Sequence, residues 1–390
     1  MDLELLAALR TVDGVSALAA ATAVAGGDPL VAASALRSAG VPPGLAAAAL
    51  TQADLRRRAA AKFGPGAGAM FFTRAGLEQA TRAVVADRRA ARLAAAGVTT
   101  LADLGCGLGS DALAAGRAGI RVHAVDADPL TAAVAAANVA AAGLSDLVTV
   151  ACADATTVAV EEFDAVFADP ARRRAGRGRV FDPRSYSPPW DFIARLADRV
   201  PRTVLKLAPG IDHALLPDGA EGEWVSADGD LVEATFWCGP LARVPRRATL
   251  LPAAVELTGS GLARADTGTV GRYLYDPDPA VVRSHLVAEF AAAIDGRLAD
   301  PDIAYVYTDA PVDTPFGRRL EITDVLPFSL KRLRTLLRER GVGRLEIRKR
   351  GSALEPEQLR RDLRLAGPNG ASLVLTRVAN APTVLLCVAQ

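Results

Sequence analysis

Leu101-Ala102-Asp103-Leu104-Gly105-Cys106-Gly107-Leu108-Gly109-Ser110-Asp111 is the stretch that decides the fold. The apolar run into Leu104 predicts a strand, the three glycines at alternate positions a tight turn, and the alanine-rich residues beyond Ser110 a helix. Glycine permits positive φ and lacks the Cβ that would hold the backbone away from a ligand. In an open parallel sheet such a turn lies beyond the carboxyl ends of the strands, where ligands bind. A dinucleotide fingerprint, GxGxxG/A, would need Gly or Ala at position 110. Here the third glycine comes one place early, Ser110 follows, and Asp103 stands two residues before the first glycine.

Outward from this stretch the same rhythm repeats. Apolar runs at 101–104, 120–125, 147–152, 163–168 and 203–207 alternate with helix-length segments. That alternation predicts an α/β fold: a doubly wound, Rossmann-like parallel sheet with helices on both faces. The second, third and fourth strands close on Asp126, Asp154 and Asp169. Asp126, 21 residues after Gly105, is placed to accept both hydroxyl protons of a ribose. Asp154 is placed to accept from the exocyclic amine of an adenine. Any one such aspartate is ordinary turn or cap chemistry. A glycine turn and three aspartates in register at one sheet edge describe a nucleoside site.

The flanking regions differ. Residues 1–95 read as helical, with breaks at Gly26-Gly27-Asp28-Pro29, Val41-Pro42-Pro43-Gly44 and Phe63-Gly64-Pro65-Gly66. Thr73 predicts a cap for one helix reaching Ala95, with Leu77, Ala80, Val84 and Ala91 on one face. Residues 96–240 hold the alternating pattern. After Pro240 it loosens, then gives a strand at 319–323, a basic amphipathic helix at 329–340, a strand at 345–349, a helix opening at Pro356, and a hairpin of strands 372–378 and 383–388. Residues 241–390 are therefore expected to form an α+β module.

Bulk composition excludes several classes. The 390 residues are 51% hydrophobic and 23% charged, which describes a folded chain of two or three domains. A net charge of +1 gives no global attraction to nucleic acid, so a basic footprint has to be local. The apolar run 130–144 is short of the roughly 20 residues that span a bilayer, and the acidic start MDLELLAALR lacks a cationic leader. Cys106, Cys152, Cys238 and Cys387 are scattered, with no CxxC pair and no histidine cluster. No metal site and no membrane partner are expected, and the reduced bacterial cytoplasm is the expected location.

The GxGxG turn with its strand-end aspartates resembles the class I S-adenosylmethionine (SAM) methyltransferases over residues 96–240. The resemblance implies SAM as cofactor, with Gly105, Gly107 and Gly109 against its methionine part. It implies further that Asp103 lies near the amino group, Asp111 toward the carboxylate, Asp126 on the ribose and Asp154 on the adenine. The resemblance widens with Gly76-Leu-Glu-Gln79, Asp169-Pro170-Ala171-Arg172, Tyr273-Leu-Tyr-Asp-Pro277, Lys349-Arg-Gly351 and Leu375-Thr-Arg377-Val378. These stretches are similar to bacterial, actinobacterial-type class I methyltransferases with a THUMP-like, ferredoxin-like C-terminal domain, and more distantly to trimethylguanosine synthase-type RNA methyltransferases. By that analogy Phe71, Phe72 and Gln79 would close over SAM.

The acceptor side is less regular. Amino-methyltransferases carry Asp/Asn-Pro-Pro-aromatic after the fourth strand, whereas here Asp169-Pro170 is followed by Ala171 and Arg172. Asp169, Pro170 and Arg172 are the candidate catalytic residues, with Phe181, Tyr186 or Trp190 as possible stacking faces. The loop 172–179 holds five arginines and no acid, and 331–350 holds nine basic residues against Glu339 and Glu346. Arginine forks suit phosphate, so RNA is the expected partner. The alternatives are a small-molecule or protein methyltransferase and a SAM- or RNA-binding protein without catalysis. An NAD enzyme is disfavoured by the glycine spacing. Acceptor atom, RNA species and oligomeric state are not read from sequence.

Overall fold

The computed structural model describes residues 1–172 and 186–389. The chain divides into two compact units: Met1–Ala220 with Thr235–Arg243, and Glu221–Ala234 with Val244–Gln390.

In the first unit, helices α1 (Leu3–Leu9), α2 (Val12–Ala23), α3 (Pro29–Ser38) and α4 (Pro43–Phe63) open the chain. Asp2, Thr11 and Asp28 cap the first three by accepting from backbone N–H groups. The helix expected from Thr73 to Ala95 is instead two, α5 (Arg74–Gln79) and α6 (Ala83–Ala95). Thr73 does cap the first, and Ala80 turns out of the helix at φ −57°, ψ 137°. The break is made by distant residues: Lys62 Nζ collects the carbonyls of Leu77 (2.7 Å), Glu78 (2.8 Å) and Ala80 (3.3 Å). The buried face of α6 is Val85, Ala86, Arg89, Ala90 and Leu93, while Ala91 is exposed.

Strands β1 (Thr100–Leu104), β2 (Arg121–Asp126), β3 (Val148–Cys152) and β4 (Ala165–Ala168) follow, with α7 (Ser110–Arg117) and α8 (Pro129–Ala141) as crossovers. A small antiparallel pair, β5 (Ala171–Arg172) with β6 (Tyr186–Ser187), and helices α9 (Trp190–Ala194) and α10 (Leu196–Arg199) precede β7 (Thr203–Leu207). The parallel order is β3-β2-β1-β4-β7, which puts β1 and β4 at the centre. Leu101, Val122, Ala124, Phe167 and Val204 pack with Ala112, Leu113, Val134 and Ala135 in one core. Alanines along α7 and α8 bring these helices close to the sheet.

The second unit holds β8 (Glu221–Ala227), β10 (Arg246–Leu251) and β11 (Val255–Gly259), with β10 parallel to β8 and antiparallel to β11. The boundary between units falls inside β9 (Asp230–Trp237). Its larger sheet comprises β12 (Tyr273–Pro277), β13 (Arg297–Leu298), β14 (Val306–Thr308), β15 (Gly317–Pro327), β16 (Val342–Lys349), β17 (Asn369–Val378) and β18 (Ala381–Ala389). The order is β13-β14-β12-β15-β18-β17-β16. Short helices α11 (Pro279–Arg283) and α12 (Val287–Ala293) follow β12. Helices α13 (Leu330–Glu339) and α14 (Pro356–Leu363) cover one face, where Leu333, Leu337, Leu359 and Leu363 pack on Leu373, Leu375, Val384 and Leu386. The β-α-β-α-β-β succession from Gly317 is the α+β module expected from the sequence.

Candidate cofactor and acceptor site

β1 delivers the glycine turn to the carboxyl edge of the sheet. Gly105, Gly107 and Gly109 all have positive φ (+88°, +56° and +84°). At Gly105 a Cβ would stand 2.9 Å from the carbonyl oxygen of Asp169, so the turn closes directly against the end of β4. The N–H groups of Gly105 and Cys106 donate to Val125, each at 2.9 Å. Burial pushes the Cys106 thiol well above its ordinary range.

Asp126 braces the turn from β2. Its Oδ2 accepts from Gly107 N–H at 3.1 Å and its Oδ1 from Asp128 N–H at 3.0 Å. Burial raises this carboxyl above the usual range, and those two N–H groups pull it back down. A carboxylate has about four lone-pair sites, so two remain for ribose hydroxyls. Asp154, at the end of β3, is exposed and accepts from the Thr156 N–H and hydroxyl at 2.8 Å each. Those bonds hold its carboxyl below the usual range.

Asp103 is fully buried, and neither carboxylate oxygen has a hydrogen-bond partner. Burial, then the charges of Asp111 and Asp169, push it well above the ordinary carboxylate range, opposed by Arg89 and Lys206. Ser110 Oγ, at the head of α7, is likewise buried and unpartnered. A buried carboxylate without a hydrogen-bond partner is costly. A cationic donor beside the turn, such as the ammonium of SAM, would offset that cost. The residues present therefore fit SAM.

Asp111 is engaged within the protein. Thr81 Oγ1 donates to its Oδ2 at 2.7 Å, and the Arg89 guanidinium pairs with its Oδ1. Arg89 also lies over the Phe167 ring, 4.6 Å from the centroid. The pair ties the start of α7 to α6. Gln79 is exposed at the end of α5. That helix sits on the turn, because a Cβ on Gly76 would meet Leu108 Cδ2 at 2.6 Å. Phe71 and Phe72 are buried, held by Asn138 and Gln52 through their backbones. Asn138 also donates to the Leu108 carbonyl at 3.0 Å.

On the candidate acceptor side, Asp169 and Pro170 directly follow β4, and Arg172 pairs by backbone with Tyr186. Tyr186 is buried against Trp190, ring centroids 5.6 Å apart. Phe181 and the arginines at 173, 174, 177 and 179 lie outside the described residues. Sequence reasoning missed Lys206, the polar residue inside Thr-Val-Leu-Lys-Leu of β7, whose Nζ lies 2.5 Å from Asp169 Oδ2. It missed Thr81, Arg89 and Lys62 as well. For Arg89 a signal existed: its place on the apolar stripe of α6.

Four of the nine basic residues of 331–350 are ion-paired among the described residues. Arg348 and Arg350 both bind Asp276, Arg340 binds Asp324, Lys349 binds Glu355, and Arg334 donates to the Asp362 carbonyl. Lys331, Arg332, Arg338 and Arg344 are exposed with no acidic partner among the described residues. Beside Arg344 a cavity of about 620 Å³ is lined also by Glu346, Arg360, Ser372 and Cys387. Among the described residues no group of three His, Cys, Asp or Glu side chains is arranged to hold a metal. No single helix there is long and apolar enough to cross a membrane.

Comparison with known proteins agrees with this geometry. Residues 101–172 match a methyltransferase domain, residues 317–389 a THUMP domain-like module, and residues 2–59 a domain of unknown function. The chain is 36% identical over 337 residues to uncharacterized S-adenosylmethionine-dependent methyltransferases of Mycobacterium tuberculosis, strains CDC 1551 / Oshkosh and ATCC 25618 / H37Rv. The match covers 83% of this chain and 90% of each relative. The fold is that of a Porphyromonas gingivalis W83 protein named as a methyltransferase, at a TM-score of 0.76 and 22% identity over 100% of this chain and 99% of that one.

Proposed function

We propose, from the premise that this chain belongs to the S-adenosylmethionine-dependent methyltransferases with a THUMP-like C-terminal domain, that its substrate is RNA. The observation that carries this reading is the set Lys331, Arg332, Arg338 and Arg344, exposed and without acidic partners on the THUMP-like module. Four such cations suit a phosphate backbone.

SAM supplies a methyl group on a sulfonium, already joined to a good leaving group. What remains for the protein is alignment. In this reading the Gly105–Gly107–Gly109 turn takes the methionine part, Asp126 the ribose and Asp154 the adenine. Asp103 balances the ligand's positive charge. Asp111 acts through Arg89 and Thr81, holding α6 to the start of α7 rather than meeting the cofactor carboxylate. Gln79, on the helix resting against Leu108, borders the cofactor. Asp169-Pro170 presents the acceptor; the side chain of Arg172, the third candidate catalytic residue, lies outside the described part of the structure.

The test is transfer of radiolabelled methyl from SAM by the purified full chain to a lysate, with RNA, protein and small molecules separated afterwards. Label in RNA that Asp169→Ala abolishes is the expected result. Label in protein or small molecules alone overturns the RNA substrate while leaving the methyltransferase.

A further inference from the structure

Met70, Phe71 and Phe72 run from the turn Gly64–Ala69 toward α5 without helix or strand, and all three are buried. Buried irregular backbone has to find a partner for each N–H and C=O. Here the account closes, and mostly through side chains. Met70 N–H donates to the Ala67 carbonyl at 3.3 Å, and the Met70 carbonyl accepts from Arg56 Nε at 2.8 Å. Gln52, from α4, takes both groups of Phe72: its Oε1 accepts from the N–H at 3.0 Å and its Nε2 donates to the carbonyl at 2.7 Å. Asn138, from α8, does the same for Phe71, accepting at 2.7 Å and donating at 3.1 Å. Each side-chain amide stands in for a neighbouring strand, with one acceptor and one donor.

The two amides differ in what else they reach. Beyond Phe72, Gln52 Nε2 meets Met1 Sδ at 3.4 Å. Asn138 Nδ2 instead donates to the carbonyl of Leu108 at 3.0 Å. Leu108 stands between Gly107 and Gly109 in the glycine turn and is buried. With two carbonyls against its nitrogen and an N–H against its oxygen, the Asn138 amide has one orientation. Helix α8 comes this near because residue 135 is alanine: a Cβ on Gly109 would stand 3.5 Å from Ala135 Cβ. The Leu108 side chain is received by Gly76 of α5, where a Cβ would stand 2.6 Å from Leu108 Cδ2. Leu108 is thus joined to the segment 71–76 at both ends, by its carbonyl through Asn138 and by its side chain through Gly76.

We propose that Asn138 is a positioning residue of the cofactor site: it couples the stretch Met70–Phe72 to the glycine turn, so that cofactor seated on the turn also fixes the segment leading into α5. Gln52 and Arg56 tie the same stretch to α4, which gives the N-terminal helices a part in holding the cofactor. The inference rests on the placement of SAM against the glycine turn in the reading above.

Backbone hydrogen exchange of the full chain is followed by mass spectrometry with and without SAM. Slower exchange with SAM is expected in both 104–110 and 70–73, and in Asn138→Ala in 104–110 alone. Calorimetry of SAM is run beside it on Asn138→Ala and Gln52→Ala, each of which strips both backbone partners from one phenylalanine. Affinity is expected to fall at least about tenfold in Asn138→Ala, the scale of one unmade buried hydrogen bond, and by less than about threefold in Gln52→Ala. No slowing at 104–110 in the wild type overturns the placement of SAM on the turn, and this inference with it. Slowing there without slowing at 70–73 overturns the coupling alone. Equal losses of affinity in the two variants reduce Asn138 to a residue that holds the fold and overturn its positioning role. If Asn138→Ala does not fold, the wild-type exchange decides.

Discussion

Gly105 and Asp169 are in register across the centre of the sheet so closely that a side chain on the first would stand 2.9 Å from the carbonyl oxygen of the second. The glycine turn and the Asp169-Pro170 motif therefore share one wall. Gly105→Ala has to place alanine at φ +88°, a strain of about 1–2 kcal/mol, and also push Asp169 away. Both SAM affinity and turnover are expected to fall at least about tenfold, each about 1.4 kcal/mol. Calorimetry and initial rates check this.

Arg89 and Asp111 form an enclosed ion pair beside the glycine turn, with side chains 4% and 11% exposed. Removing one partner of a buried pair strands the other, which costs about 3–5 kcal/mol. Arg89→Ala is expected to show that loss in urea unfolding, and Arg89→Ala with Asp111→Ala to lose less. If the double variant is no better than the single, the pair is not what joins α6 to α7.

Asp103 sets a pH dependence. Its folded carboxyl sits well above its ordinary value because of burial, then Asp111 and Asp169. A group raised in the folded state contributes stability at low pH, below its unfolded value of about 3.9, and that contribution is lost as pH rises through the folded value. The ligand-free protein is expected to lose melting temperature over that rise. Asp103→Asn should be more stable than wild type at neutral pH and flatter in pH, yet bind SAM less tightly. Thermal melts from pH 4 to 8 check the sign.

In the THUMP-like module, paired and unpaired cations separate two effects. Changing Lys331, Arg332, Arg338 and Arg344 to glutamine is expected to weaken RNA binding and flatten its salt dependence, the slope falling by about 0.7 for each phosphate of single-stranded RNA that is no longer neutralised. Arg348→Ala and Arg350→Ala, which remove partners of Asp276, are expected to lower stability first. Filter binding at several salt concentrations, beside unfolding curves, distinguishes them.

Much of this was legible in sequence because it is local. The strands around the glycine turn, the aspartates that end them and the β-α-β-α-β-β pattern from Gly317 are written in consecutive residues. What was not legible depends on partners far along the chain. The break after Gln79 is made by Lys62 and by the Thr81–Asp111 bond. The basic stretch 331–350 reads as an open stripe until Asp276, from β12, is seen to neutralise Arg348 and Arg350. Lys206 looks like an odd residue in an apolar strand until β4 brings Asp169 beside it. The loop 172–179 reads as phosphate-binding from its arginines, and those from 173 on lie outside the described residues.

The most direct test of the cofactor site is titration calorimetry of SAM into the full-length protein and into Asp126→Ala. Asp126 braces the turn through Gly107 and takes the ribose in the proposed reading, and hydrogen bonds to a charged group are worth about 1.5–3 kcal/mol each. One SAM per chain is expected, with an affinity lower by about 10–100-fold in the variant. Equal affinity in the two proteins would contradict this placement of the cofactor.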